Sequence, residues 1–466
     1  MFIIRSATVL VIISIFYVPV FIRKSFGEVN FDQLMFFIYT DGGTIGTDIN
    51  VLIIFLKWAI IRPVILLILF LVTYKIMKRW NVFPSFMERL FKPIALFCFC
   101  AGLIYNVHSL GGFSFPGRYV GQDLMANYFK KVDFKKLQTT EKNNLIMLYV
   151  ESLENTFSDV EIFGHDLNAP LTDSLGSNEF SLRQAPGTGW TTAGMVASQC
   201  GVPLAPFMGN SLGSRDGPIL GNLICLGDIL DDEGYSQTFL VGPDLKFSGM
   251  DKFYLNHGFK FAYGKDEIFK KFVTEDLGTG WGGGIQDDTL LDIAFERIKL
   301  EHEEQKNFNV TIVTTDNHAP DGFLSPRCAS QSFKDKISEV IWCTNKTISN
   351  FLEKLKNDKI LENTVLVVMG DHNFMGEIDG ARPFGERAIY FDYIAPKTTE
   401  ISPKQTQLTH FDVFPTALQM VLGYEIDQLH LGSNIFTVDN ESHLKMHDYI
   451  FGKNFLIYSD FYRSFW

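Results

Sequence analysis

Several common signatures are absent or scarce in this chain of 466 residues. Only 20% of its residues are charged and 46% are hydrophobic, which excludes a largely disordered chain. The 41 basic residues are outnumbered by 53 acidic ones, so the net charge of −12 argues against a nucleic-acid-binding protein. The six cysteines show no CxxC spacing, which argues against a structural zinc site. The length predicts two or three folded units.

The charge is distributed unevenly along the chain. Residues 1–106 carry 10 basic and 5 acidic residues, whereas the remainder carries 31 and 48. A basic, apolar N-terminal part followed by an acidic, more polar C-terminal part predicts a membrane anchor and an extramembrane domain. We therefore expect an anchor at 1–106, a linker at 107–143, a catalytic domain at 144–440 and a C-terminal extension at 441–466.

Three apolar stretches, 2–22, 51–74 and about 93–105, form the predicted anchor. The first is long enough to cross a bilayer, and a cleaved signal peptide is the alternative, although no small-x-small cleavage site follows. Charges and a proline within the second predict an interfacial helix and a short span instead of one continuous helix. The loop 75–92 is rich in Lys and Arg, so we expect the N-terminus inside and the C-terminal domain outside the cytoplasm.

The cysteines also bear on the compartment. Four lie in the C-terminal part, and they allow three pairings. The local pairing, Cys200 with Cys225 and Cys328 with Cys343, closes short loops and suits an oxidising compartment. Free buried thiols are the alternative. The other two cysteines lie in the third apolar stretch, where we expect them to act as small apolar residues.

The C-terminal part alternates continuous apolar strands with helical patterns, which predicts an α/β fold with a mostly parallel sheet flanked by helices. The predicted strands are 145–150, 238–241, 309–313 and 365–369. The predicted helices are 224–232, 287–302, 337–355 and 411–422. The glycine-rich segment 278–284 is predicted to be a flexible loop and not a nucleotide-binding fingerprint, because no strand leads into it.

Three predicted strands end in carboxylate or imidazole residues. The carboxyl ends of parallel strands meet at one edge of a sheet, which is where ligands bind in such folds. Carboxylates with imidazole suit a divalent ion such as Zn²⁺ or Mn²⁺, whereas each residue taken alone could be a helix cap or a surface residue. The residues expected at this edge are Glu151, Asp316, His318, Asp371 and His372.

A candidate nucleophile is Thr191, where a glycine-rich loop gives way to a helical pattern of small residues. A hydroxyl at a helix N-terminus meets free backbone N–H groups and the positive end of the helix dipole, which favour an alkoxide and a bound phosphate. The alternative is that Thr191 or Thr192 is only the helix N-cap.

Six motifs occur in a fixed order along the C-terminal part of the chain. They are 149–154 (YVESLE), 186–191 (PGTGWT), 193–203 (AGMVASQCGVP), 225–228 (CLGD), 316–323 (DNHAPDGF) and 370–372 (GDH). Together they resemble the membrane phosphoglycerol transferases that modify periplasmic glucans, relatives of lipoteichoic acid synthase in the alkaline-phosphatase/sulfatase superfamily. The resemblance covers residues 119–380 and extends loosely to 412–416.

The resemblance implies roles for individual residues. It implies a phosphothreonine enzyme with one divalent ion, most often Mn²⁺, with Mg²⁺ or Zn²⁺ as alternatives. Thr191 is then both nucleophile and metal ligand, and His318 contacts the substrate phosphate. Lys246 and Asp316 are further substrate contacts. The tryptophan and arginine that bind glycerol phosphate in lipoteichoic acid synthases fall near Ser248 and Met250, which argues against glycerol-phosphate polymerisation. The remaining implied metal ligands are Glu151, Asp371 and His372.

The implied reaction transfers phosphoglycerol from phosphatidylglycerol to a glucan or related glycan through phosphothreonine, releasing diacylglycerol. The expected setting is the bacterial inner membrane, with the catalytic domain in the periplasm and no nucleic-acid partner. We expect a basic patch to meet anionic lipid, with solvated linker lysines as the alternative. Its lysines are Lys130, Lys131, Lys135 and Lys136.

Other activities are possible on the same fold. A sulfatase needs a Cys-x-Pro-x-Arg or equivalent setting, which the sequence after Cys200 does not provide. Phosphoethanolamine transfer, or phosphodiester hydrolysis, is the nearer alternative because its metal chemistry would be the same. An inactive, membrane-tethered sensor would require loss of metal ligands, and all four ligand positions hold competent residue types.

Overall fold

The chain forms two compact units in a computed structural model. One comprises Met1–Leu34 and Thr47–Gly117, and the other comprises Met35–Gly46 and Arg118–Trp466. The structure describes residues 2–26, 29, 33–34, 36, 53–80, 85–110, 123–133, 142–176, 180–205, 217–272, 279–328, 333–383, 386–396, 402–452, 455 and 459–466. Lys135, Lys136 and Gly278 of the sequence predictions lie outside these residues.

The first unit is helical. Its α-helices are α1 (Phe2–Phe26), α2 (Arg62–Arg79) and α3 (Ser85–Ser109). Helices α1 and α3 pack together, and the Asn106 side chain donates a hydrogen bond to the carbonyl of Ile15 at 2.9 Å. Among the described residues, three helical stretches are long and apolar enough to cross a membrane, namely Arg5–Lys24, Ile53–Arg79 and Leu90–Ser109.

The second apolar stretch differs from its prediction, because Ile53–Arg79 is one continuous helical run where we expected two elements. A π-helix, Leu56–Ile61, precedes α2 and its second residue, Pro63. Proline has no N–H to donate and its ring crowds the preceding turn, so a widened turn lets the helix continue through it. The Arg62 guanidinium lies 3.4 Å from the centre of the Trp58 ring.

The second unit is built on a six-stranded sheet in the order β4-β3-β5-β1-β6-β8. All neighbours are parallel except β8, which runs antiparallel to β6. The strands of this sheet are β1 (Asn144–Val150), β3 (Ser236–Val241), β4 (Phe261–Tyr263), β5 (Phe308–Val313), β6 (Thr364–Gly370) and β8 (Phe391–Ile394). Smaller sheets are formed by β2 (Ser181–Arg183), β7 (Ala388–Ile389) and β9 (Gln407–Leu408), and by β10 (Gln428–Leu429) and β11 (Gly432–Ser433).

Helices cover both faces of the main sheet. Every residue of β1, β5 and β6 is buried, as expected for parallel strands covered on two sides. The helices of the second unit are α4 (Met125–Tyr128), α5 (Val160–Phe163), α6 (Ala169–Leu175), α7 (Thr191–Cys200), α8 (Leu226–Asp232), α9 (Met250–Tyr254), α10 (Lys265–Lys271), α11 (Asp287–Glu303), α12 (Lys336–Asn357), α13 (His410–Leu422), α14 (Asn440–Ile450) and α15 (Asp460–Arg463).

The two faces of β1 pack against different helices because successive side chains alternate between them. Ile146 and Leu148 belong to a core that includes Leu290 of α11 and Leu352 of α12. On the other face, the hydroxyl of Tyr149 lies 2.7 Å from Ser198 Oγ of α7, and α13 packs on α7. The strands and helices predicted from the sequence are all present, with bounds that shift by one to two residues.

The described residues after 440 are part of the second unit. Helix α14 begins at the Asp439 cap, and α15 places Tyr462 in the interior. The Tyr462 hydroxyl donates to the carbonyl of Pro203 at 2.8 Å and accepts from the amide of Ala205 at 2.9 Å. These contacts tie the end of the described chain to the segment that follows α7.

Candidate active site

The carboxyl ends of three adjacent strands, β5, β1 and β6, meet at one edge of the main sheet. Glu151 follows β1, and Asp371 and His372 follow β6. The loop after β5 is joined to the end of β1 because the amide of Thr314 donates to the carbonyl of Tyr149 at 3.0 Å. Of the five residues expected at this edge, Glu151, Asp371 and His372 have ligand atoms within 4.8 Å of one another.

Four side chains converge there within a buried cluster. Thr191 Oγ1 lies 3.4 Å from Glu151 Oε2 and 3.5 Å from His372 Nε2. His372 Nε2 lies 3.6 Å from Glu151 Oε1 and 3.4 Å from Asp371 Oδ2. These distances are long for hydrogen bonds. They match the spacing of about 3.4 Å between tetrahedral ligand atoms with bonds of about 2.1 Å to an ion.

The ligand atoms of the cluster are oriented by neighbouring backbone groups. Asp371 Oδ1 accepts from the amides of Ser152 at 2.7 Å and His372 at 2.9 Å, whereas Asp371 Oδ2 is buried without a hydrogen-bond partner. His372 Nδ1 lies 2.8 Å from the Asn373 carbonyl, which directs Nε2 toward the cluster. A buried carboxylate oxygen without a hydrogen bond and an oriented imidazole fit a divalent cation.

Electrostatics support the same interpretation. Burial raises the pKa of Glu151, and burial followed by the charge of Glu151 raises the pKa of Asp371 to about 6. Burial opposes a charge on His372, but the carboxylates of Asp371 and Glu151 raise its pKa above the ordinary value. Two buried carboxylates require a compensating positive charge, which a proton or a divalent ion can supply.

Thr191 is the first residue of α7 and is not its N-cap. The N-cap position is held by Trp190, whose side chain makes no capping hydrogen bond. Thr192 donates its hydroxyl to the carbonyl of Ser248 at 3.1 Å, so it is not the cap either. The N-cap alternative is therefore wrong, and the Thr191 hydroxyl faces the cluster at the end of a helix whose first N–H groups lack helical partners.

His318 lies on the loop after β5, which is held by Asp287 at the start of α11. The Asp287 carboxylate accepts from the amides of Thr315 at 2.8 Å and Asp316 at 2.9 Å. Asp316 Oδ2 in turn accepts from the Asp287 amide at 3.0 Å. The indole of Trp281 stacks on the His318 ring with 4.4 Å between ring centroids. Asp316 thus helps to hold this loop, and its substrate contact stays a prediction.

Lys246 is exposed and directly precedes a short turn that touches α7. The turn covers Phe247–Gly249, and its Ser248 carbonyl accepts the hydroxyl of Thr192. The side chains of Ser248 and Met250 are buried, so these positions do not present exposed head-group contacts. The proposed contact of Lys246 with substrate stays a prediction.

Some residues at the site were not found from the sequence. They are Trp281, Asp287 and His410, whose Nε2 atom lies 2.8 Å from the carbonyl of Asp371. The sequence signal that could have identified Asp287 is the pair Asp287-Asp288 after a glycine run, but on its own that pair predicts only the start of a helix.

A buried ion pair was also missed, in which Arg387 donates to Glu154 at 3.1 Å and to the carbonyl of Phe374 at 2.7 Å.

Both locally paired disulfides are present, which confirms that pairing. Cys200–Cys225 joins the end of α7 to the N-cap of α8, and Cys328–Cys343 joins the loop after β5 to α12. Among the described residues, Cys98 and Cys100 are free. The first disulfide therefore anchors the helix that begins with Thr191.

Two other groups of potential ligands occur within the described residues. One contains Cys225, which is already in a disulfide. The other contains Asp412, whose carboxylate accepts from the amide of Thr409 in the capping box of α13 and from the amide of Ser433 in β11. The Glu151 cluster consequently fits an ion best.

The sheet, the buried ligand cluster and the hydroxyl at a helix N-terminus define a member of the alkaline-phosphatase/sulfatase superfamily. A protein-family model described as Sulfatase matches residues 143–424, and the chain belongs to this family. Both the predicted resemblance and the predicted fold class are confirmed.

Curated relatives include proteins named phosphoglycerol transferase I. Those of Escherichia coli K12 and Escherichia fergusonii are each 38% identical to this chain over 264 residues. The matches cover 54% of this chain and 33% of each relative, so the chain spans about a third of their length.

Solved structures agree on the fold. An alkaline phosphatase superfamily protein from Vibrio parahaemolyticus has a TM-score of 0.50 at 19% identity, covering 68% of this chain and 76% of its own. The lipoteichoic acid synthase LtaP from Listeria monocytogenes has a TM-score of 0.51 at 18% identity, covering 66% and 79%. At such identities the likeness shows the fold alone.

Proposed function

We propose that this chain is a metal-dependent transferase that moves phosphoglycerol from phosphatidylglycerol to a periplasmic glucan or related glycan. The observation that carries the proposal is the Thr191 hydroxyl, held 3.4–3.5 Å from Glu151 and His372 at the N-terminus of α7. The choice of phosphoglycerol as the transferred group is supported by the relatives named phosphoglycerol transferase I.

Glu151, Thr191, Asp371 and His372 would hold one divalent ion, with Mn²⁺ first and Mg²⁺ or Zn²⁺ as alternatives. A bound divalent ion lowers the pKa of a coordinated hydroxyl and neutralises charge on phosphoryl oxygens. The two carboxylates and the imidazole are all buried, with ligand atoms within 4.8 Å of one another. The absence of a hydrogen bond to the buried Oδ2 atom of Asp371 supports occupancy of the cluster by a cation.

The reaction then proceeds in two displacements. Thr191 Oγ1 bonds to the phosphorus of phosphatidylglycerol, the bond from phosphorus to the diacylglycerol oxygen breaks, and that oxygen takes up a proton. A sugar hydroxyl next attacks phosphorus and releases Thr191, which regains its proton. His318 contacts the phosphoryl oxygens, and the free N–H groups of α7 add positive potential. Phosphoglyceryl-Thr191 is the intermediate.

The three apolar helices fit a lipid donor. We propose a multi-pass inner-membrane protein with its second unit in the periplasm, which the two disulfides support because they require an oxidising compartment. Lys130 and Lys131 are exposed and stay candidates for contact with anionic lipid.

Intact-mass spectrometry of the full chain in detergent tests the proposal. After incubation with phosphatidylglycerol and Mn²⁺ without glucan, we expect a mass increase of one phosphoglycerol group. Thr191→Ala should show none. Thr192→Ala is the matched control, because its hydroxyl bonds to Ser248 and not to the cluster, and it should retain the adduct.

Two outcomes would contradict the proposal. An adduct that survives in Thr191→Ala would exclude this nucleophile. A phosphoethanolamine adduct from phosphatidylethanolamine, with none from phosphatidylglycerol, would favour the alternative transferase. If neither lipid gives an adduct, diacylglycerol release separates a phosphodiester hydrolase from an inactive domain.

A further inference from the structure

The glycine-rich segment before α11, predicted as a flexible loop, is a hydrogen-bonded turn in its described residues 279–284. The Gly280 amide donates to the Gly284 carbonyl at 2.8 Å, and the Gly284 amide donates to the Trp281 carbonyl at 2.9 Å. A Cβ at Gly284 would lie 2.6 Å from the carbonyl oxygen of Gly242, so glycine is required by close backbone contact. These contacts fix the backbone of the turn and therefore the position from which the Trp281 side chain extends.

Trp281 is held between two rings. Its indole stacks on His318 at 4.4 Å with an interplanar angle of 28°. Phe247 meets the indole edge-to-face at 4.7 Å with an interplanar angle of 73°. Both arrangements are favourable for aromatic pairs. The plane of the His318 ring is thus set by an indole that is itself fixed by Phe247 and by the turn.

The backbone that carries His318 is fixed independently of Trp281. Asp287 accepts the amides of Thr315 and Asp316, which holds the main chain before His318. The carbonyl of Ala319 lies 2.8 Å from His318 Nδ1 at one edge of the imidazole, and the stacked indole packs on the face of the ring.

We propose that Trp281 is a positioning residue that fixes the His318 imidazole for contact with the transferred phosphoryl group. This inference rests on the proposed function, which gives His318 its phosphate. Trp281 touches no reacting atom in this proposal and acts only through His318.

A double-mutant cycle tests whether Trp281 acts through His318. Trp281→Leu should lower the kcat of phosphoglycerol transfer about 10- to 100-fold, because small misplacements of a catalytic group are costly, with the KM for phosphatidylglycerol little changed. Trp281→Phe keeps an aromatic face and should restore most of the rate. In a His318→Asn background, Trp281→Leu should cost less than about two-fold. A full further loss in that background would overturn the proposal.

Tryptophan emission of the full chain in detergent tests the same contact without substrate. An imidazole stacked on an indole quenches its emission, so His318→Asn should change the spectrum of the wild type and leave that of Trp281→Phe unchanged. Trp342→Phe is the matched control, because Trp342 packs on Phe333 and not on His318. Adding His318→Asn to Trp342→Phe should change the emission spectrum as it does in the wild type. An equal change in Trp281→Phe would overturn the proposed contact.

The two measurements separate the failure of this inference from that of the proposed function. If the wild type transfers phosphoglycerol but the emission result fails, only the role of Trp281 is wrong. If the emission result holds but the wild type transfers nothing, the proposed function is wrong, and the phosphate-positioning role of Trp281 is overturned with it.

Discussion

Gly194 of α7 packs directly against the main chain of Asp371. A Cβ at Gly194 would overlap the carbonyl oxygen of Asp371, which also lies 2.8 Å from His410 Nε2. The helix that begins with Thr191 is therefore docked on the segment that carries two of the proposed ligands. This contact sets the distance between the candidate nucleophile and those ligands.

Gly194→Ala should lower transfer by about 100-fold, because the added methyl group must push α7 away from Asp371 and displace Thr191. We expect a loss of stability of about 1–3 kcal/mol, as for other overpacked sites. Ala197→Gly, on the same helix, is the control: it weakens the helix by about 1 kcal/mol without overlap and should keep most activity. Transfer rates and unfolding midpoints of both variants check this. Full activity in Gly194→Ala would show that the contact does not position Thr191.

Metal affinity should rise with pH between about 5 and 7. Burial raises the pKa of Glu151 and, with the charge of Glu151, raises the pKa of Asp371 to about 6, so protons compete with an ion for these carboxylates and are released when the ion binds. Each displaced proton should change the affinity about ten-fold per pH unit in this window. Calorimetric titration of the metal-free protein with Mn²⁺ in buffers of different ionisation enthalpy measures both quantities.

Thr191→Ser retains the hydroxyl and should follow the wild-type pH dependence of Mn²⁺ binding, whereas Asp371→Asn should abolish tight binding. Chelation should likewise lower the melting temperature of the wild type, since an ion that binds only the folded state stabilises it. Binding that is unaffected by Asp371→Asn would place the ion elsewhere.

The two disulfides predict a specific thiol count. Alkylation of the unfolded, unreduced chain should label two cysteines, and six should react after reduction. Intact mass measures both. Removing the Cys328–Cys343 bridge, which spans 15 residues, should cost about 3 kcal/mol of stability. Four labelled cysteines before reduction would show that one bridge is open, and partial proteolysis would identify it.

The sequence was most informative about the central strands and the ligand cluster. β1, β5 and β6 are largely apolar runs followed within three residues by carboxylate or imidazole residues, so both their burial and their shared edge could be predicted. The role of Thr191 could be suggested but not separated from a helix cap, because both need a hydroxyl at the same helix end.

Features that depend on contacts between distant segments were not predictable. β8 is a four-residue strand without a continuous apolar pattern, and it pairs antiparallel with β6 at the end of the main sheet. The turn that carries Trp281 was interpreted as flexible, since glycine composition alone does not distinguish freedom from close backbone contact. The stack of Trp281 on His318 forms only when the glycine-rich turn and the loop after β5 are both folded.

The buried pair of Arg387 and Glu154 should be important for stability. Arg387 donates to Glu154 and to the Phe374 carbonyl, and the Phe374 amide donates to the other Glu154 oxygen at 2.9 Å. Arg387→Met leaves a buried carboxylate uncompensated and should cost about 3–5 kcal/mol. Adding Glu154→Gln should recover part of that loss. Urea unfolding measures both, and a double variant less stable than Arg387→Met alone would contradict the argument.

His430 should make the folded chain sensitive to acid. Its ring is buried against Phe129, with centroids 4.6 Å apart, and burial lowers its pKa to about 4. Between about pH 6.5 and 4 the unfolded chain binds a proton at this position that the folded chain does not. Stability therefore falls as the pH falls through this window, by up to about 1.4 kcal/mol per pH unit.

His430→Asn should make that decline shallower by about one proton. Asparagine tolerates the positive φ of 52° at this position, so the backbone can be retained although the ring stack is lost. Phe129→Leu is the control, because it removes the stack without removing a titrating group and should lower stability equally at every pH. Urea unfolding of the three proteins from about pH 4 to 7 measures the slopes. Parallel curves for wild type and His430→Asn would show that His430 does not carry this proton linkage, and would shift attention to His410, whose pKa burial also lowers to about 4.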